Sequence, residues 1–237
     1  MGAYVMERPN LVIIHGWTYT IEPWKRTVEL LEAGGVRVIQ LRVPGLTTPS
    51  EEVWTIDGYV SWLEQELKSI DRPIVLGHSN GGRIAMHYLR SHPDAFRALI
   101  LLNSAGVEIA PTALSAKRRL LRGLAKLLAP LKYIPGIKKI VYRLLGSDYG
   151  RAPKNMQATL RNMLESDKDF SPSGITTPTT ILWGEADTTT PLAMGRKIAA
   201  ALPHACLMTF ANWKHAPYIS HPDELAAAIV EAIGVRV

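Results

Sequence analysis

Residues 74–83 read IVLGHSNGGR, an apolar run that breaks off into glycine, histidine, a lone serine, asparagine and two more glycines. Two readings of Ser79 compete. It could be a small residue at the start of a glycine-rich helix, serving packing or phosphate binding, or a nucleophile held out on a sharp strand-to-helix turn. The pattern G-x-S-x-G directly after an apolar strand and before helical periodicity favours the second. In that turn the serine backbone is strained, and Gly77 and Gly81 are small because side chains there would collide with it. The chain contains neither G-x-x-x-x-G-K-[ST] nor G-x-G-x-x-G, so the phosphate reading finds no support. A helix starting at residue 80 would aim its free N–H groups and positive dipole end at the serine oxygen, with the N–H of Asn80 able to stabilise an oxyanion.

Outward from this stretch, short apolar β-branched runs alternate with segments of helical period. The runs are NLVIIH (10–15), VRVIQL (36–41), PIVLGH (73–78), ALILLN (98–103), TTILWG (179–184) and ACLMTF (205–210). Helices are expected over 22–33, 57–70 with Asp57 as N-cap, 80–91, 191–201 with Pro191 in the first turn, and 222–233. This alternation predicts an α/β fold with a mostly parallel sheet of about six strands, flanked by helices. With 237 residues, 47% of them hydrophobic, the chain can bury the core of one such domain.

A serine hydroxyl needs a base to take its proton, and the base needs an acid to orient it. The loop after 179–184 is EADTTTP, which offers Asp187; the loop after 205–210 is ANWKHAP, which offers His215. Glu185 rivals Asp187, and His204 and His221 rival His215, though His204 lies in the turn before the last strand and His221 heads the last helix, where it reads as a surface or capping residue. A second oxyanion donor is expected from HGW after the first strand, where Gly16 precedes the N–H of Trp17. His15 is expected to tie that loop together by hydrogen bonds, and His78 to be structural rather than a second base. Trp24, Trp54, Trp62 and Trp183 are expected in the core or at interfaces. His87 and His92 form no metal-binding motif, and the chemistry requires neither a metal nor an organic cofactor.

The rhythm of strands breaks once, over some 70 residues. Residues 106–172 carry 13 Lys and Arg against 5 Asp and Glu, a local +8 in a chain of net +6. Within them, Leu120, Leu121, Leu124, Leu127 and Leu128 form one apolar stripe, with Lys117, Arg118, Arg119, Arg122 and Lys126 largely elsewhere. Residues 106–175 are therefore expected to form a helical cap inserted in a core domain of residues 1–105 and 176–237, over the sheet edge where such folds bind ligands. The basic faces could be plainly solvated, or could steer an acidic acyl carrier protein or an anionic lipid surface. Few aromatics and no recognised module argue against nucleic acid. No apolar run is long enough to span a bilayer and the start lacks the features of a signal peptide, so a soluble, cytoplasmic protein is expected. Cys206, the single cysteine, excludes an intrachain disulfide and is expected as a buried strand thiol.

Together these features resemble the α/β-hydrolase superfamily over nearly the whole chain outside the cap. HGW and HAPYISHPDEL (215–225) are similar to small bacterial carboxylesterases such as the pimeloyl-acyl-carrier-protein methyl ester esterases. Arg42 in LRVPGL and His78 in the elbow depart from that subfamily's pattern, and the hairpin that opens many such folds is absent or reduced to AYVME. The resemblance implies a serine esterase with Ser79 as nucleophile, Asp187 as acid, His215 as base, and the N–H groups of Trp17 and Asn80 as oxyanion hole. Thioesterases, lactonases and C–C bond hydrolases share that triad. A hydrolase-like ligand receptor with little turnover is the alternative of another class.

Overall fold

The computed structural model describes residues 10–109 and 152–234. Numbered along these residues, the strands are β1 (Asn10–Ile14), β2 (Arg37–Gln40), β3 (Ile74–His78), β4 (Ala98–Leu102), β5 (Thr179–Gly184) and β6 (Ala205–Phe210). The helices are α1 (Lys25–Ala33), α2 (Ile56–Leu67), α3 (Asn80–Ser91), α4 (Lys154–Ser166), α5 (Leu192–Ala201), α6 (Pro217–Ser220) and α7 (Pro222–Gly234). The six strands form one sheet in the order β2-β1-β3-β4-β5-β6, with every pair parallel. The chain reverses its direction across the sheet between β1 and β3, which lie side by side. Such a switch point opens a crevice at the carboxyl ends of the strands.

The continuous apolar runs follow from burial on both faces. Val75, Leu99, Leu101, Ile181 and Trp183 face one core, with Tyr59 and Leu63 of α2, Ile84 and Leu89 of α3, and Ile198 of α5. Their neighbours Ile74, Leu76, Ile100, Leu102 and Leu182 face the other, with Leu31 of α1 and Leu225, Ile229 and Ile233 of α7. Each fully buried aliphatic side chain contributes roughly 1.5–3 kcal/mol, so the elbow between β3 and α3 follows a strand held on both faces.

Several expectations need correction. The N-cap of α2 is Thr55, whose extended backbone lets its hydroxyl accept the Gly58 N–H at 3.1 Å; Asp57 lies inside the first turn, where it still complements the dipole. Pro191 is the cap of α5 rather than its first residue. The 22–33 segment opens as a 3-10 turn over Glu22–Trp24 before α1 begins. Cys206 is exposed, because β6 is the edge strand and is only partly covered. The leucine stripe and AYVME lie outside the described residues. In the described part of 106–175 there is no strand; α4 lies there and packs Met156 and Met163 into the core cluster.

Candidate active site

The turn from β3 into α3 forces Ser79 to φ +52° and ψ −116°. Such a conformation costs a non-glycine residue about 1–3 kcal/mol and persists only where its surroundings over-determine it. Here four backbone hydrogen bonds do so: the Ser79 N–H donates to Leu102 O at 3.1 Å, and Ser79 O accepts from the N–H groups of Gly82, Arg83 and Ala105 at 3.1, 3.3 and 3.0 Å. A Cβ on Gly81 would overlap the carbonyl of Ile14, so only glycine lets α3 start this close to the end of β1.

The side chain of His215, in the loop after β6, lies between Ser79 and Asp187. Its Nδ1 is 2.8 Å from Asp187 Oδ2 and its Nε2 is 3.1 Å from Ser79 Oγ. A carboxylate only accepts, so Nδ1 carries a proton and donates it to Asp187, leaving the Nε2 lone pair for the Ser79 hydroxyl. Asp187, in the loop after β5, is 4% exposed. Its Oδ1 accepts the N–H groups of Thr189 and Thr190 at 2.6 and 3.0 Å, and the Thr190 hydroxyl lies 2.7 Å from Oδ2. Burial pushes its carboxyl upward, but the bond and charge of His215 and the Thr190 and Thr189 donors outweigh it, leaving the pKa below the ordinary value. The arrangement can draw a proton from Ser79 and hold the resulting imidazolium against a buried negative charge.

The loop after β1 lies directly on this elbow. A Cβ on Gly16 would come within 2.9 Å of Ser79 Cβ and 2.8 Å of His78 Nδ1. Trp17 follows Gly16 in this loop and Asn80 opens α3 directly after Ser79, the two positions expected to supply the oxyanion donors. His15 braces the loop. Its Nδ1–H donates to Gly16 O at 2.8 Å, and its Nε2 accepts from the Thr47 hydroxyl at 2.7 Å, which in turn accepts the Val43 N–H. Burial holds His15 below its usual pKa, in keeping with a neutral ring.

His78 is buried behind the site, edge-on to Trp24 and Tyr218. Burial, reinforced by His215, pushes its pKa down to about 3, and its Nε2–H donates to the His215 carbonyl at 2.8 Å. The rival residues stand apart from this constellation: exposed Glu185 accepts from the Thr209 hydroxyl at 2.8 Å, and His221 pairs with Ser220 Oγ. Sequence reasoning missed Asn103 and Thr190, which contact the loops of both His215 and Asp187. It also missed the ion pair of Arg83 with Asp167, two bonds of 2.7 Å that tie α3 to the end of α4, with Arg83 also bonded to Asn80 Oδ1. A polar residue after an apolar run was the available signal for Asn103, and an arginine inside a buried helix for Arg83.

Two surface clefts, about 490 and 710 Å³, are lined by residues such as His87 and Phe170 in one and Arg37 and Arg97 in the other. Neither includes Ser79, and neither gathers its chemistry. Among the described residues no group of three His, Cys, Asp or Glu is placed to hold a metal ion.

The family model described as alpha/beta hydrolase fold matches residues 9–222. A pimeloyl-[acyl-carrier protein] methyl ester esterase of Aromatoleum aromaticum is 26% identical over 96% of this chain and 99% of its own length. A 2-hydroxy-6-oxononadienedioate/2-hydroxy-6-oxononatrienedioate hydrolase of Cupriavidus pinatubonensis is 26% identical over 87% of this chain and 82% of its own. Among solved structures, an α/β-hydrolase enzyme from a sediment metagenome of the Mar Chica lagoon superposes with TM-score 0.70 at 21% identity, covering 97% of this chain and 92% of that one.

Proposed function

The chain belongs to the α/β-hydrolase family, and we propose that within it the protein is a serine esterase that cleaves carboxylic esters through an acyl-enzyme at Ser79. The observation that carries this reading is the continuous hydrogen-bonded line from Ser79 Oγ through both ring nitrogens of His215 to buried Asp187. In the proposed reaction His215 Nε2 takes the Ser79 proton as Oγ attacks the ester carbonyl, and the N–H groups of Trp17 and Asn80 stabilise the oxyanion. The imidazolium then protonates the departing alcohol. A water activated by the same nitrogen releases the acid and restores Ser79. No metal or organic cofactor enters.

The substrate is proposed as a small or medium acyl ester. Its carrier is proposed as an acidic acyl carrier protein, which the +8 balance of residues 106–172 would attract, and which the name of the Aromatoleum relative supports. Residues 106–175 are proposed as the cap over the site, and the protein as cytoplasmic; no helix among the described residues is long and apolar enough to cross a membrane. The Cupriavidus relative favours a second reading, hydrolysis of a C–C bond by the same residues.

A panel of p-nitrophenyl esters from acetyl to long acyl chains, run beside a ring-cleavage diketone, tests both. We expect multiple turnovers on the shorter esters, abolished in Ser79→Ala. Undiminished ester turnover in Ser79→Ala would eliminate the mechanism. A single burst without turnover would favour a ligand receptor, and turnover of the diketone alone would favour the C–C reading.

A further inference from the structure

Asn103 follows β4 with φ +43° and no exposure to solvent. Asparagine tolerates this left-handed conformation better than most residues, but glycine would adopt it without strain, so the side chain must compensate. Its amide uses both ends. Nδ2–H donates to Lys214 O at 2.8 Å and His215 O at 3.2 Å, in the loop that carries the base. Oδ1 accepts the Gly184 N–H at 2.8 Å, where the loop that carries the acid begins. The main-chain carbonyl of Asn103 lies 3.0 Å from the Thr190 hydroxyl, whose one proton is shared with Asp187. The His215 carbonyl has a second donor in His78 Nε2–H at 2.8 Å.

We propose that Asn103 is a positioning residue for the Ser79 reaction: it joins the Asp187 and His215 loops through one amide and, with His78, clamps the main-chain carbonyl of His215. This rests on the esterase reading above. Two donors on one carbonyl fix the peptide plane from which the imidazole projects, and so fix Nε2 relative to Ser79 Oγ. Buried His78 stays neutral and keeps its Nε2 proton for this bond across the working pH range. The amide supplies a donor to one loop and an acceptor to the other from a single planar group.

Asn103→Asp isolates the donor half. It keeps the shape, the backbone tolerance and the acceptor for Gly184, and its ionised form turns an unprotonated oxygen toward the Lys214 and His215 carbonyls; because burial favours the protonated form, which still donates, Asn103→Leu is measured beside it and removes the donor outright. The assay measures kcat and KM on a p-nitrophenyl ester per site labelled by a fluorophosphonate, with circular dichroism as the folding control. A proton NMR spectrum follows the His215 Nδ1–H signal. Misplacing a reacting group by about 1 Å costs on the order of 10² in rate, so we expect kcat to fall by about that factor. KM should change little, and the Nδ1–H signal should shift or broaden. His78→Leu should lower kcat in the same way, and His78→Gln, which keeps a donor, should restore much of it. Unchanged kcat per labelled site in folded Asn103→Leu overturns the positioning role while leaving the esterase reading intact. If Asn103→Leu does not fold, equal kcat in His78→Leu and His78→Gln overturns it. A wild-type protein that neither labels nor hydrolyses esters overturns both.

Discussion

Replacing Asp187 with asparagine should almost silence the proposed esterase without unfolding it, because the two carboxylate oxygens have unequal surroundings. Oδ1 faces two backbone donors, the N–H groups of Thr189 and Thr190 at 2.6 and 3.0 Å, and can only be an acceptor. The introduced amide would therefore set its oxygen there and its NH2 group at the former Oδ2 position, 2.8 Å from His215 Nδ1. Donation from that NH2 makes Nδ1 the acceptor and moves the ring proton to Nε2, which then faces Ser79 Oγ and cannot take its proton. In a serine protease the matching change lowers kcat by about 10⁴, or roughly 5.4 kcal/mol of barrier at 1.36 kcal/mol per decade. We expect a loss of that order, measured as initial rates on the best p-nitrophenyl ester near pH 7, with thermal unfolding as the control for fold. Glu185→Gln, altering an exposed side chain bonded to Thr209, should leave the rate unchanged. Rates within tenfold of wild type in Asp187→Asn, or a larger loss in Glu185→Gln, would refute the assignment of the acid.

Two further outcomes concern stability. The Arg83–Asp167 pair is 4% and 9% exposed at its side chains, so Asp167→Asn strands a buried guanidinium charge and should cost about 3–5 kcal/mol in urea unfolding. The double change Arg83→Met with Asp167→Leu should recover much of that loss; a single change costing under about 1 kcal/mol would show the pair is not buried in solution. Acid sensitivity is the second. Burial pushes His78 down to about 3 and His87 to about 4, so between these values and the ordinary 6.5 the unfolded chain binds protons that the native one does not. Stability is then fully present above about pH 6.5 and falls as pH drops toward 4. Asp187 acts in the same direction, but only below its ordinary value of 3.8. Thermal midpoints from pH 7 to 4 should show this decline and a shallower one in His78→Gln; identical slopes would rule out His78 as a source.

The fold was legible because burial on both sheet faces writes itself as apolar runs, and β5 and β6 match their expected limits residue for residue. Boundaries failed where local chemistry competes: Thr55 outcompetes Asp57 as a cap because its backbone is extended and its hydroxyl reaches Gly58. Cys206 was misjudged because composition cannot tell an edge strand from a central one. The G-x-S-x-G turn and the loops after β5 and β6 were readable as spacing. Asn103 and the Arg83–Asp167 pair were not, because a hydrogen bond between residues 81 or 84 positions apart leaves no periodic trace in a sequence.

The strand order explains why so much converges on one asparagine. Ser79 follows β3 and Asp187 follows β5, with β4 between them. Two strand spacings of about 4.8 Å separate their ends by roughly 10 Å, too far for a serine hydroxyl to meet a carboxylate directly. An imidazole can span the gap if it enters from beyond β5, as His215 does from the loop after β6, with 2.8 Å on one side and 3.1 Å on the other. That loop must then cross the end of β5 and reach over β4. The first residue after β4 is Asn103, and it lies under the crossing with one neighbour on each side. A hydrophobic residue there would leave the Gly184 N–H buried without a partner, at a cost of about 1–3 kcal/mol, and would take the amide donor from the Lys214 and His215 carbonyls. A single amide, turned into place by a left-handed backbone, satisfies both and sets the height at which the histidine crosses.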